Sequence, residues 1–461
     1  MANYLMIDFG STFTKLVAVD RDRGVILATA IAPTTVTTDI RTGYKAALAD
    51  LEQAIGRPTV FERIVACSSA AGGLKMCAIG LVEELTVEAA KRVCLGAGAK
   101  VDLVFAHHCT KAEIRQIVDM KIDIILLAGG ADGGNTECAL FNLNLIGEAG
   151  ISIPIVYAGN KSAQDEVLEL YTRYHLDGHI AENVMPKINQ LNVKSARDAI
   201  RDIFLKRIIA AKGIKKIEEE IDEVVLPTPE AVLVASELLS KGYMNEPGLG
   251  ELCVVDIGGA TTDMYSVCHS TKRSDVILRG LEEPYAKRTV EGDLGLRWSA
   301  PGIVKALTEE EIKMIALDTG VDLKAETDRR FADVSFLPET AHDEQVDKML
   351  AEMCAYKAMS RHAGRMEEVY TPLGIVQNQT GKDLSDVKTV IGTGGPIIRS
   401  RFAGSILAKT SNVFHQSAEL RPAKPDYYVD QDYLMASMGL YAKFDPLGAL
   451  RIMKQHIVSV K

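Results

Sequence analysis

One short pattern occurs twice in this chain, 248 positions apart, and it constrains the fold more than any other sequence feature. The first copy runs from Asp8 to Lys15 and the second from Asp256 to Asp263; both have aspartate first, glycine third and threonine seventh. An apolar run leads into each aspartate, so each copy is predicted to be a strand that turns at glycine and returns as a second strand. One copy is typical of an ordinary hairpin, whereas two in the same context favour a functional pair.

The residue types in these turns suit a polyphosphate. Glycine permits close backbone approach, so several N–H groups can point at one oxygen, and hydroxyl groups add neutral donors. Carboxylates repel phosphate, but they bind the divalent cation that accompanies a polyphosphate. Asp8 and Asp256 are therefore the predicted metal-binding residues, and the predicted catalytic residues beside an attacking water. The predicted phosphate contacts are Gly10, Ser11, Thr12, Thr14, Lys15, Gly258, Gly259, Thr261 and Thr262. For Lys15, a solvated position on the return strand is the alternative.

A third element is a glycine-rich turn that ends an apolar strand. Its glycines are Gly392, Gly394 and Gly395, and they would allow the backbone to lie flat against a base or a ribose. Strand-to-helix turns often contain glycine, so this element indicates a nucleotide site only in combination with the two hairpins.

In this order, the two hairpins and the glycine-rich turn resemble the ATPase superfamily of actin, sugar kinases and heat-shock chaperones. Residues 254–263 are particularly similar to the bacterial actin-like cell-division proteins. The resemblance implies an α/β fold of two actin-like (ribonuclease H-like) lobes around a nucleotide cleft. It implies ATP and Mg²⁺ as cofactors, with the third element at the adenosine.

Two helix-like segments rich in small residues, 229–235 and 435–440, resemble the helices that connect the lobes in that superfamily. Small residues permit close helix contact, in agreement with that interpretation. The chain departs from the superfamily pattern at Thr228, with Glu230 two residues on, where an acidic or glutamine side chain often positions the metal or water.

The length of 461 residues exceeds one ordinary domain. We expect residues 1–250 to form the first lobe and 251–461 the second, which ends with a connecting helix. Within 93–175 strand-like and helix-like runs alternate, which predicts a parallel α/β segment, either an inserted subdomain or part of the first lobe. Thr308 with Glu311 three residues on predicts a capping-box helix start.

At the level of family, the chain resembles the accessory proteins of methylaspartate (glutamate) mutase, of the GlmL or MutL type. The segments that carry the resemblance, besides the motifs above, are 63–74, 126–135 and 288–295. It implies an ATP-binding and slowly ATP-hydrolysing chaperone or reactivating factor. The expected partners are the subunits of an adenosylcobalamin-dependent glutamate mutase.

Three other functions fit the same scaffold. A small-molecule kinase would need an acceptor pocket with a carboxylate base, which the sequence does not identify beyond the shared aspartates. A non-enzymatic, actin-like assembly protein needs only the fold. An ATP-driven electron donor needs cysteines arranged for an iron–sulfur cluster.

Charge and composition exclude further classes. Aspartate and glutamate number 62 against 52 lysine and arginine, a net charge of -10, so no global positive field would attract nucleic acid. Neither a signal peptide nor an apolar run of about 18 residues is present, so we expect a cytoplasmic protein without membrane association. The eight cysteines are at least ten residues apart, which predicts reduced, buried side chains rather than a zinc or redox motif.

Overall fold

The computed structural model describes residues 3–35, 39–69, 74–82, 86, 88–96, 99–188, 190–211, 220–271, 276–372, 374–412 and 418–460. Residues 70–73 of the family-like segment 63–74 lie outside these ranges. By contacts between Cα atoms the chain divides into two compact units. The first comprises Met1–Gly72, Lys212–Arg279 and Glu283–Lys461, and the second comprises Gly73–Ala211 and Gly280–Glu282.

The fold is α/β, as predicted from the sequence. In chain order the strands are β1 (Asn3–Phe9), β2 (Phe13–Asp20), β3 (Val25–Pro33), β4 (Arg63–Ser68), β5 (Lys75–Gly80), β6 (Lys100–Ala106), β7 (Ile124–Leu127), β8 (Ile155–Tyr157), β9 (Gly178–Ile180), β10 (Glu223–Pro227), β11 (Gly242–Tyr243), β12 (Glu246–Pro247), β13 (Leu252–Ile257), β14 (Thr262–Val267), β15 (Val276–Arg279), β16 (Ala286–Glu291), β17 (Arg365–Thr371), β18 (Gly374–Thr380), β19 (Thr389–Thr393), β20 (Asp426–Asp430) and β21 (Ile457–Val460).

The α-helices alternate with single strands from β5 to β11. They are α1 (Ile40–Ile55), α2 (Glu88–Gly96), α3 (Lys111–Asp119), α4 (Glu137–Glu148), α5 (Gln164–Arg173), α6 (Lys194–Ala211), α7 (Thr228–Lys241), α8 (Ala300–Lys305), α9 (Glu309–Thr319), α10 (Leu323–Ala332), α11 (Ala341–His362), α12 (Gly395–Ile398), α13 (Ala403–Ala408), α14 (Met435–Tyr441) and α15 (Pro446–His456). The capping box predicted at Thr308 and Glu311 is present at the start of α9.

The first unit contains two sheets with the same construction. One has the strand order β10-β4-β1-β2-β3 and the other β16-β14-β13-β19-β20-β21. In each, a glycine-turned antiparallel hairpin, β1–β2 or β13–β14, is extended by a third antiparallel strand on one side. On the other side it is extended by two parallel strands, and in the second sheet β21 adds an antiparallel edge strand. The repeated pattern in the sequence thus marks a repeated sheet, with each copy on the strand pair at the sheet centre.

The central strands are buried on both faces. All seven residues of β1 are buried, and five of the six in β13. Strands covered on both sides have near-continuous apolar sequences, which explains the runs that precede the two aspartates. A charged side chain in such a strand is costly unless it has partners, so the buried Asp8 and the partly buried Asp256 stand out as positions kept for another reason than stability.

The helices that follow the two sheets pack on one another. Helix α7 follows β10 and α14 follows β20, and the apolar core between the sheets includes both. A Cβ atom on Gly439 of α14 would lie 1.9 Å from the carbonyl oxygen of Ala231 in α7. The crossing therefore requires glycine at this position.

The described residues of the second unit form a parallel sheet in the order β6-β5-β7-β8-β9. Helices connect successive strands, which is the arrangement that buries a parallel sheet on both faces. Residues 93–175, predicted to be a parallel α/β segment, lie within this unit, which starts before them and ends after them.

All eight cysteines are free and buried. Among the described helices, none combines the length and the hydropathy that crossing a bilayer requires.

The helix crossing gives a test of the fold. We expect Gly439→Ala to lower the free energy of unfolding by about 2 kcal/mol or more, because an added methyl group must displace backbone. Urea unfolding followed by circular dichroism measures this. Gly395→Ala is the matched control, since a Cβ there meets no atom within 4 Å. Equal stability of the two variants would contradict the close crossing.

Candidate functional site

The two hairpin turns have the same backbone arrangement. The Gly10 N–H donates to the Phe13 carbonyl at 3.1 Å, and the Gly258 N–H donates to the Thr261 carbonyl at 2.9 Å. Each aspartate lies two residues before its glycine and pairs across the hairpin with the last residue of the repeat, Asp8 with Lys15 and Asp256 with Asp263. The copies are therefore equivalent in structure as well as in sequence.

The structure brings the two turns together. A Cβ atom on Gly259 would lie 3.7 Å from the Thr12 Oγ1 atom, so the tips of the two turns are adjacent. The Asp8 and Asp256 carboxylates are near enough to interact, and Asp8 contributes to raising the pKa of Asp256. Residues 248 positions apart in the sequence thus share one site.

The backbone of the second turn is held by the segment 292–299. The N–H groups of Leu296 and Arg297 donate to the carbonyls of Gly258 and Gly259 at 3.1 and 2.8 Å. The Ser299 hydroxyl donates to the Ala260 carbonyl. In a trans peptide the N–H group points opposite to the carbonyl. The N–H groups of residues 259–261 are therefore directed away from the segment, the arrangement that an anion requires.

Asp8 is buried and makes three contacts. The Thr228 hydroxyl donates to its Oδ1 atom at 2.7 Å, and the Cys67 Sγ atom lies 3.5 Å from the same oxygen. The Lys15 Nζ atom is 3.3 Å from Oδ2. Thr228 begins helix α7, so the departure from the superfamily pattern places a hydroxyl group, not a carboxylate, on Asp8. Lys15 lies at the site rather than on a solvated strand face.

The second aspartate lies in a cluster of carboxylates. Asp256 is partly buried. Its pKa is raised to about 7, chiefly by this burial and secondly by the charge of Asp263. Asp263 is in turn paired with Arg288, whose Nη2 atom is 2.6 Å from Oδ1. The ammonium group of Lys15 lowers the pKa of Asp256, but less than the carboxylates raise it. The site is thus negatively charged and suited to a cation.

Four of the predicted hydroxyl donors have hydrogen bonds inside the protein. Thr14 and Thr262 are fully buried; the Thr14 hydroxyl is bonded to that of Thr34, and the Thr262 hydroxyl donates to the Leu294 carbonyl. Ser11 lies at the turn 3.3 Å from the Ser69 hydroxyl, and the Thr261 hydroxyl donates to Asp263 at 3.1 Å. The two buried threonines stabilise the hairpins and do not face the turns.

The three glycines of the third element differ in their surroundings. Gly394 has a φ of +92°, and a Cβ atom on it would lie 2.7 Å from the Asp256 Oδ1 atom, so this turn packs against the second hairpin. A Cβ atom on Gly392 would meet the side chains of Ile397 and Leu407 in the core. Gly395 is exposed at the start of α12. Of the three, Gly394 adjoins the carboxylate cluster and Gly392 serves close packing.

The donor set fits magnesium. Carboxylate and hydroxyl oxygens are the ligands of hard cations, and Mg²⁺ in proteins is commonly held by one or two carboxylates together with phosphate oxygens and water. Asp8 and Asp256 supply two such carboxylates at adjacent turns. Within the described part of the chain, no group of three or more histidine, cysteine, aspartate or glutamate side chains is placed to hold a metal ion.

Sequence reasoning missed three contributors to the site. Asp263 was visible as the last residue of the repeat, but its counterpart Lys15 has the opposite charge, which hid the equivalence. Arg288 on β16 pairs with it, and the Tyr433 ring lies over the Lys15 ammonium group at 3.2 Å from the ring centroid. No local pattern indicates either contact.

Two sheets of one construction, each with a glycine-turned hairpin and a connecting helix, define an actin-like α/β protein. The family model described as MutL protein matches residues 4–457. Protein MutL of Clostridium tetanomorphum is 47% identical over 462 residues, which is 100% of both chains. The chain belongs to the MutL family, and the family predicted from the sequence is confirmed.

Solved structures that resemble the chain are distant from it. A gluconate kinase from Lactobacillus acidophilus has a TM-score of 0.35 and 11% identity, with 100% of this chain and 93% of that chain covered. A glycerol dehydratase reactivase has a TM-score of 0.35 and 11% identity, with 95% and 100% covered. Matches at this distance carry no conclusion about activity.

The raised pKa of Asp256 predicts an effect of pH on stability. A carboxyl group with a higher pKa in the folded state holds its proton more tightly when folded, so its ionisation as pH rises from about 4 to 7 costs stability. We expect the free energy of unfolding of Asp256→Asn at pH 8 to be higher than that of the wild type by on the order of 1 kcal/mol. The difference is no larger because the carboxyl is only partly buried and water screens its charge.

Urea unfolding at pH 5 and pH 8 tests this prediction. The advantage of Asp256→Asn should be smaller at pH 5, where the wild-type carboxyl is protonated. Asp318→Asn, at an exposed position of α9, is the control and should differ from the wild type at neither pH. An advantage of the same size at both values would contradict the raised pKa.

Proposed function

We propose that this protein binds MgATP between its twin hairpin turns and uses it to act on an adenosylcobalamin-dependent glutamate mutase as an accessory or reactivating chaperone. The observation that supports the nucleotide site is the closeness of the two turns. Thr12 of the first turn lies next to Gly259 of the second, and the Asp8 carboxylate is near enough to Asp256 to affect its pKa. Membership of the MutL family supports the choice of partner, through the resemblance to glutamate mutase accessory proteins.

The chain's own groups account for phosphate binding. The N–H groups of residues 259–261 are directed away from the segment that holds the carbonyls of this turn, so they can donate to phosphate oxygens. Lys15 adds a positive charge at the first turn. Asp8 and Asp256 would hold the magnesium ion directly or through water, and the ion would neutralise phosphate charge that the carboxylates otherwise repel.

The same geometry suggests how hydrolysis would act on a partner. A water between the two carboxylates would be oriented for attack on the terminal phosphate. Once that phosphate leaves, contacts that bridge the two turns are lost. A ligand that binds one conformation better than another shifts the balance between them, and the shift would loosen a bound mutase so that damaged cobalamin leaves and intact coenzyme enters.

Nucleotide binding is tested first. Trp298, the single tryptophan of the chain, is half exposed in the segment that holds the second turn, so its fluorescence reports on this site. We expect MgATP to change that fluorescence, and Asp8→Asn and Asp256→Asn to weaken MgATP binding at least about tenfold by loss of a carboxylate at the metal. Asp318→Asn is the charge-matched control. Equal affinity in all four proteins would contradict the site.

The partner is tested by reactivation. Glutamate mutase inactivated with cyanocobalamin is incubated with this protein, adenosylcobalamin and MgATP, and mutase activity is followed. Wild type should restore activity and Asp256→Ala should not, while Asp318→Asn should behave as wild type. No recovery with a wild type that binds MgATP would reject the reactivating role. ADP release stimulated by a metabolite would then favour a kinase, and ATP-dependent sedimentation an assembly protein.

A further inference from the structure

Tyr433 has a backbone conformation that large side chains rarely adopt. It lies between β20 and α14 with a φ of 58°, in the left-handed region that costs free energy for any residue with a Cβ and is unusual for an aromatic one. Such a residue persists only where its surroundings impose the conformation.

The surroundings that impose it centre on Asp430. This buried carboxylate accepts hydrogen bonds from the N–H groups of Leu434 and Met435 at 2.8 and 3.0 Å, and from the Thr393 hydroxyl at 3.0 Å. The Tyr433 N–H donates to the Asp430 carbonyl at 3.1 Å. The strand end, the turn and the start of α14 are thus joined, which fixes the direction of the Cα–Cβ bond of Tyr433.

The ring of Tyr433 lies at the first hairpin. The Lys15 Nζ atom lies 3.2 Å from the centroid of the Tyr433 ring and 3.3 Å from the Asp8 Oδ2 atom. A cation over an aromatic face is attracted by the ring electrons without losing its charge. The ammonium group is consequently held between a carboxylate and a ring, and its remaining N–H groups stay able to donate.

We propose that Tyr433 is a positioning residue for Lys15, and that it holds the ammonium group at the phosphate turn before nucleotide arrives. The inference rests on the proposed nucleotide site. A free lysine side chain loses much conformational freedom when it is fixed, and a group that is already fixed binds its ligand more tightly. The strained turn at Tyr433 is the structural cost of this arrangement.

Two substitutions separate the ring from the backbone. Tyr433→Phe keeps an aromatic face, whereas Tyr433→Gly removes the ring and accepts a positive φ without strain. We expect Phe to bind MgATP within about twofold of wild type. Glycine should lower MgATP affinity about five- to tenfold, the loss of one cation–aromatic contact, without lowering the midpoint of thermal unfolding. Affinities are read from Trp298 fluorescence.

The same measurement is repeated in a Lys15→Met background. If the ring acts through Lys15, Tyr433→Gly should have no further effect there. An equal loss in both backgrounds, or wild-type affinity in Tyr433→Gly, would overturn the role of Tyr433 and leave the nucleotide site standing. Absence of MgATP binding by the wild type would reject the nucleotide site itself, so the two failures are distinguishable.

Discussion

The close crossing of α7 and α14 is the constraint on which the site depends. Each helix follows the last parallel strand beside its hairpin, and Gly439 lets the two backbones meet at Ala231. A larger residue would separate the helices and, with them, the two sheets to which they are joined. Because well-packed interiors deform little, this close approach of the helices helps to keep the tips of the two hairpins adjacent at Thr12 and Gly259.

The two copies of the repeat differ where their charges matter. At the last position the first copy has Lys15, which neutralises Asp8, while the second has Asp263, which opposes Asp256. Arg288 on the neighbouring strand compensates Asp263 but not Asp256. A duplicated sheet therefore carries one neutralised and one uncompensated aspartate. Burial and the charge of Asp263 raise the pKa of this uncompensated carboxyl.

Much of this site followed from local sequence. Strand–glycine–strand patterns predicted both hairpins, and the capping box at Thr308 needs only three residues of separation. The inward orientation of Thr14 and Thr262 was also predictable. Successive residues on a strand point to opposite faces, so a threonine next to Lys15 or Asp263 must face away from the aspartate that pairs with that residue.

The remaining contacts join residues that no local pattern relates. Thr228 reaches Asp8 across 220 positions, and Tyr433 reaches Lys15 from the far end of the chain. Gly392 packs in the core against Leu407 and Ile397. From the sequence alone, a glycine at this position could serve either nucleotide contact or close packing. These contacts follow from how the sheets and helices pack, which a single sequence does not display.

The two long-range contacts have a common consequence. Thr228 is the first residue of α7, and Tyr433 lies just before α14, so the starts of both connecting helices touch the Asp8–Lys15 pair. A ligand that binds the Asp8 carboxylate or the Lys15 ammonium group would therefore alter the contacts made by the starts of both helices. The helices also meet backbone to backbone at Gly439, so both contacts with the Asp8–Lys15 pair come from one closely packed pair of helices.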